Sequence, residues 1–327
     1  MRRIGNLYEK LYNFDNLLLA EKRARKGKLK QKGIIEFSKN RIKYLKEIQN
    51  LLIREEYKTS QYSIFTIFDK KERQIFVLPY RDRIVQHAIA QQIFPILKKC
   101  LISQTYSCIP KKGIHECLQD TYKECRNYKY CLKIDIHKYY ESINKSTLKV
   151  FLRKKFKDRK LLSLLDGIID SNLKGIPIGN YLSQIFANFY LTYFDHWLKE
   201  AKKVSVFRYM DDIVILHNSK EYLHELKNEI ESYLYNILDL RLSKWQIFPI
   251  NSRGIDFVGY VIYPTYIKLR KQIKQNFKTM LHKYPNENSI SSYKGWLIHG
   301  NCVNLWNKYI NNENIKFNKR TSSTILQ

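Results

Sequence analysis

The sequence predicts an α+β fold built on an antiparallel sheet, and three observations carry that prediction. Helical and strand-like stretches alternate in irregular order along 327 residues, 44% of them hydrophobic, which is enough for a core shared by two or three subdomains. Two apolar, β-branched runs, 204–207 and 213–216, flank Tyr209-Met210-Asp211-Asp212 and read as a hairpin. A third apolar strand, Tyr130 to Ile136, carries one acid, Asp135, near its end.

The elements follow in order. Residues 1–60 read as a basic helical extension, because Ile42, Leu45, Ile48, Leu51 and Leu52 recur at helical spacing. From 62 to 78 the pattern turns β-like (SIFTIF, then QIFVL), with Asp69-Lys70-Lys71-Glu72-Arg73 as a charged turn. Residues 81–97 return to helix, and Lys111-Lys112-Gly113 forms a second basic turn. Beyond the Asp135 strand, 148–169 reads as one helix and 174–179 as a turn-rich loop. A long helix starts near Ser183, its Phe186, Phe189, Tyr190, Phe194 and Trp197 read as core. After the Asp-Asp hairpin come a helix over 221–238, Lys244 and a strand-like 255–262. A helical C-terminal segment follows, broken near Tyr284-Pro285-Asn286. The expected division is an extension (1–60), a central unit (61–265) and a short basic helical unit (266–327).

Asp-Asp on its own is an ordinary turn sequence. Two adjacent carboxylates between apolar strands nevertheless repel each other unless a cation neutralises them, and an acid on an apolar strand is costly without a partner. An antiparallel sheet can set Asp135 against Asp211 and Asp212. Three such carboxylates would hold two metals about 4 Å apart, the arrangement that activates an attacking hydroxyl and steadies a leaving phosphate. Hard Mg²⁺, with Mn²⁺ as a substitute, suits the oxygen donors and points to nucleotidyl chemistry.

Charge supports the same direction. The chain holds 59 Lys+Arg against 30 Asp+Glu, a formal net charge of +29, and such a field draws polyanions with strongly salt-dependent affinity. Residues 22–32 (KRARKGKLKQK) contain seven basic residues and no acid, while 265–327 contain eleven Lys/Arg against two Glu. Each run taken singly is also what a solvated helix face looks like. The six cysteines form no CxxC pair, and His115 beside Cys117 has no second pair to complete it, so neither a zinc module nor a disulfide framework is indicated. With no signal peptide and no membrane-length apolar run, the expectation is a soluble, cytoplasmic protein with reduced thiols and no membrane partner.

RYMDDIVIL together with LKIDIHKYYESI resembles the paired catalytic motifs of reverse transcriptases. KERQIFVLPYRDRIVQHAI, QTYSCIPKKGIHECL, GIPIGNYLSQIFANFYLTYFD, LRLSKWQIFPI and RGIDFVGY resemble the remaining blocks in the family's order. The resemblance implies a right-hand polymerase: fingers, a palm with an antiparallel sheet, and a short helical thumb. Most bacterial members read Gln-Gly-x-x-x-Ser-Pro where this chain has Ile178-Gly179-Asn180-Tyr181-Leu182-Ser183-Gln184. Ile at the first place and Gln at the last resemble the enzymes of diversity-generating retroelements. Those enzymes copy a template RNA into cDNA with errors at template adenines.

The resemblance also implies roles. Asp135, Asp211 and Asp212 become the metal carboxylates, Asp135 and Asp211 being the direct ligands. Tyr140 is implied to be the aromatic gate against a ribose 2′-hydroxyl, with core packing as its plainer role and Tyr139 adjacent. Lys70, Lys71 and Arg73 are implied to clamp the dNTP triphosphate. Lys244 is implied to be the general acid toward pyrophosphate, against a plainer role as a surface lysine. Ile178, Gly179 and Gln184 border the template base and incoming nucleotide, and Phe257-Val258-Gly259-Tyr260 holds the primer end. Implied partners are template RNA, cDNA, dNTPs and a small basic accessory protein, in a bacterial or phage-encoded system. The rival readings are a retron-like or phage-defence reverse transcriptase and a maturase-like RNA-binding protein with an idle site.

Overall fold

Four helices open the chain: α1 (Tyr8–Tyr12), α2 (Phe14–Ala24), α3 (Lys32–Lys39) and α4 (Arg41–Ile53). The structure is a computed structural model and describes residues 3–69, 71–283, 286–302, 304 and 307. The apolar stripe expected in 42–52 holds at Leu45, Ile48 and Leu52, which are buried, whereas Ile42 is exposed and Leu51 only partly covered. The helices are not a loose appendage, because their buried residues belong to the same core as the central unit. Glu21, fully buried on α2, explains part of that grip: Arg41 reaches it at 2.8 Å and Tyr80 donates to it at 3.0 Å. A buried carboxylate without such partners would be strongly unfavourable.

A two-stranded antiparallel hairpin follows, β1 (Ser63–Asp69) and β2 (Lys71–Val77), and then helix α5 (Tyr80–Lys98). The strands run further into the charged segment than expected, leaving only Lys70 between them, and Lys70 lies outside the described residues. Helix α6 (Ile114–Cys125) precedes β3 (Tyr130–Ile136) and the short α7 (Tyr139–Ser142). The single helix expected over 148–169 is two, α8 (Lys145–Lys155) and α9 (Arg159–Asp170). Asp158 causes the break: its carboxylate caps Leu161 N at 3.2 Å and accepts from Leu7 N and Tyr8 N at 2.8 and 2.9 Å.

The long aromatic helix is likewise divided, into α10 (Tyr181–Tyr190), α11 (Thr192–His196) and a π-helical turn at Trp197–Ala201. Then come β4 (Ser205–Tyr209), β5 (Asp212–His217), α12 (Lys220–Leu238), β6 (Leu242–Pro249) and the short α13 (Ile250–Arg253). Strands β7 (Ile255–Phe257), β8 (Tyr260–Ile262) and β9 (Ile267–Leu269) form a small antiparallel sheet, and α14 (Lys271–Lys283) and α15 (Glu287–Ile298) complete the described chain. The break foreseen near 284–286 falls between these helices, with 284 and 285 outside the described residues.

The central sheet is antiparallel, in the order β4-β5-β3-β6. Alternation along β3 sends Leu132, Ile134 and Ile136 into the large helical core, and Cys131 into a second core shared with α6, the small sheet and the last helices. Both faces are therefore covered, and chemistry is left to the ends of the strands.

Candidate active site

Asp135 and Asp212 are direct cross-strand partners at the end of the β3–β5 pair, and Asp211 sits in the two-residue turn between β4 and β5. Met210 in that turn has φ +61°, an uncommon conformation for a side chain with a Cβ. Arg208 holds it there. This fully buried guanidinium donates to the Met210 carbonyl at 3.0 Å, to Asp195 at 2.6–2.9 Å and to Asn188 at 3.1 and 3.2 Å. Sequence reading passed over Arg208, although an arginine inside an apolar strand was the signal.

A cleft of about 700 Å³ opens at this end of the sheet. Asp135, Asp211, Arg73, Tyr140, Ile178, Gly179 and Gln184 all line it, so residues up to 138 positions apart in the chain meet at one wall. The 174–179 loop joins the parts. Ile176 N donates to Tyr140 O at 2.9 Å, and Phe76 N on β2 donates to Ile178 O at 2.8 Å. Gly179 has φ +116°, and a Cβ there would meet Phe76 O at 2.5 Å, so only glycine lets the hairpin lie this close.

Tyr139 and Tyr140 separate cleanly. Tyr139 is buried and donates to Ala187 O at 2.5 Å, whereas Tyr140 is half-buried with its ring on the cleft beside Asp211. Burial raises the pKa of both hydroxyls, and for Tyr140 the nearby Cys108 and Asp211 add to the rise.

The acids do not share one environment. Asp135 Oδ2 accepts a hydrogen bond from Ser243 Oγ at 2.6 Å. Ser243 is the extra residue of a β-bulge in β6, which aims it at the acid. Asp212 instead faces Lys133, whose Nζ lies 3.2 Å from its Oδ1, and it is absent from the cleft wall. Burial pushes the Asp212 carboxyl up to about 6 despite Lys133, with Asp135 and Asp211 adding to the rise. Asp135 and Asp211 thus line the cleft, while Asp212, opposite Asp135 on the same face of the sheet, is held by Lys133. Among the described residues no three His, Cys, Asp or Glu side chains form a ready-made metal cage.

Other expected residues lie differently. Lys244 is the cross-strand partner of Asp135 but is exposed on the edge strand and does not line the cleft. Lys71 joins β2 by its backbone. Phe257 and Tyr260 are fully buried, so their side chains anchor the β7–β8 hairpin in the second core and leave its turn to make any contact. Gly259, at φ +92°, admits the Trp296 ring of α15, which a Cβ would meet at 2.4 Å. The close approach expected at this glycine is thus made by a thumb-side aromatic.

Comparison with known proteins agrees with this architecture. The chain is 24% identical over 240 residues to protein YkfC of Escherichia coli (strain K12), a match covering 58% of this chain and 63% of that protein. Among solved structures it is similar to telomerase from Candida albicans in complex with a TWJ fragment of telomeric RNA: TM-score 0.50, 13% identity, 70% of this chain and 51% of that one. Apo telomerase from Candida tropicalis gives a TM-score of 0.51 at 15% identity, over 68% of this chain and 52% of that one. The chain thus spans less than two thirds of the length of each. At these identities the likeness shows the fold, a right-hand polymerase. Residues 58–262, more than half the chain, match the sequence model of one family, and the chain belongs to it: reverse transcriptase (RNA-dependent DNA polymerase).

Proposed function

We propose that this chain is an RNA-directed DNA polymerase. The observation that carries the proposal is the cleft wall, where Asp135 and Asp211 stand with Arg73, Tyr140 and the 178–179 backbone. Mg²⁺ is usually held by one or two carboxylates and completed by water and substrate phosphates rather than by an all-protein cage. Asp135 and Asp211 fit that donor set and would hold two such ions. When bound, these ions supply charge neutralisation at the transferred phosphoryl and lower the pKa of the attacking hydroxyl.

The chain's own residues account for the remaining work. Arg73, on the hairpin over the cleft, binds the triphosphate and stabilises charge developing there. Tyr140 excludes the 2′-hydroxyl, and the Val258–Gly259 turn presents backbone to the primer end while Phe257 and Tyr260 fix it. The basic surfaces at 22–32 and in the last helices take the phosphates of template and product.

The finer reading is a diversity-generating retroelement enzyme. Ile178 and Gln184 both reach the cleft, and an apolar side chain in place of a hydrogen-bonding one polices the nascent pair less well. Its partners would be a structured template RNA and a small basic accessory protein. The test is Mg²⁺-dependent dNTP incorporation on an RNA template, followed by sequencing of the cDNA. Synthesis lost in Asp211→Ala, with errors concentrated at template adenines, is expected. RNA binding without synthesis would overturn the polymerase reading, and uniform accuracy would reassign the enzyme to the retron or defence type.

A further inference from the structure

Lys133 is a cation in the middle of the apolar strand Tyr-Cys-Leu-Lys-Ile-Asp-Ile, two residues before Asp135 and on the same face of the sheet. Its side chain is 23% exposed, and its ammonium is committed in two directions. On one side Nζ lies 3.2 Å from Oδ1 of Asp212, the first residue of β5 beside the acidic turn. On the other it donates to the backbone carbonyl of Asp256, on β7, and stands 5.9 Å from the centre of the Phe257 ring. The Asp256 carboxylate is taken by Arg270, whose Nε donates to it at 2.7 Å, so Lys133 holds the β7 backbone rather than a competing charge. An ammonium with three donors can join a carboxylate to a carbonyl in this way, where an apolar residue would join neither.

We propose that Lys133 is a positioning residue, a strut that sets the acidic turn and the β7–β8 hairpin at one fixed separation. The proposal rests on the polymerase reading, in which that hairpin presents the primer end. A lysine touching only Asp212 would serve as a local counter-charge. One that also holds β7 registers the primer 3′-hydroxyl against Asp135 and Asp211, where small misplacements are costly in rate.

The experiment uses the full chain on a pre-annealed RNA–DNA primer-template, with single-turnover incorporation as the readout. Wild-type synthesis is the control that separates the two ideas: its absence sinks the polymerase reading, and only its presence tests the strut. Lys133→Met should slow incorporation about tenfold or more with the dNTP KM within about twofold, and Lys133→Arg should recover most of the rate. Lys133→Met and Phe257→Leu should be strongly non-additive, the double variant being little slower than the worse single one. An unchanged rate in Lys133→Met, a defect expressed in dNTP KM, or additive losses would overturn the proposal. If Lys133→Met does not fold, Asp212→Asn replaces it, and additivity between Asp212→Asn and Phe257→Leu would be equally fatal.

Discussion

Arg208 and Asp195 form an ion pair that no solvent reaches: the guanidinium contacts both carboxylate oxygens at 2.6–2.9 Å, and both side chains are 0% exposed. The same guanidinium holds the Met210 carbonyl, so the pair determines where Asp211 and Asp212 begin. Asp195→Ala leaves a charge buried and unpaired. The expected cost is about 3–5 kcal/mol of stability, read from urea denaturation. Polymerase activity should fall further than the folded fraction does, because the strained turn loses its anchor.

Gly179→Ala tests the junction between hairpin and loop. The new Cβ would sit 2.5 Å from Phe76 O in a backbone conformation unfavourable to alanine. The strain costs roughly 1–3 kcal/mol and is relieved by moving the hairpin away from the cleft. Incorporation kinetics should show a raised dNTP KM, and a wild-type value would contradict the assigned contact.

The adjacent tyrosines predict opposite phenotypes. Tyr140→Ala should cost less stability than the same change at Tyr139, since its ring is only partly buried against the core, and should use ribonucleotides at least about tenfold better relative to dNTPs. Tyr139→Ala removes a buried ring and should cost about 3–5 kcal/mol. Competition assays with rNTPs and thermal melts would expose any reversal.

His87 stacks on Tyr181 with ring centres 4.4 Å apart, and its pKa is lowered to about 4, first by burial and then by Arg83, Lys28 and Arg23. Its unfolded value is near 6.5, so between about pH 6.5 and 4 the unfolded chain binds the extra proton. Stability therefore holds above that window and falls as pH drops through it, by roughly 2–3 kcal/mol. His87→Phe should keep the stack and flatten this slope in pH-dependent unfolding.

Much of the site was legible from local pattern. Continuous apolar, β-branched runs located β3, β4 and β5, and the acids at their ends announced themselves as costly charges in apolar company. Helix α12 was legible for the same reason, since its apolar positions recur with the helical period. Strand β6 was missed because it is an edge strand with most of its residues exposed and no alternation to read. Its pairing with β3, which brings Ser243 to Asp135, is a long-range fact.

By itself, then, the sequence determined which residues carry charge on apolar strands and which segments are helix or hairpin, because those properties depend on neighbours within a few positions. Only the tertiary structure decided their partners. It set Asp212 against Lys133, buried Phe257 and Tyr260 beneath their hairpin, and sent Tyr139 inward while Tyr140 stayed at the wall. Each of these outcomes depends on contacts between residues tens to more than a hundred positions apart, where burial, hydrogen bonding and ion pairing are resolved together.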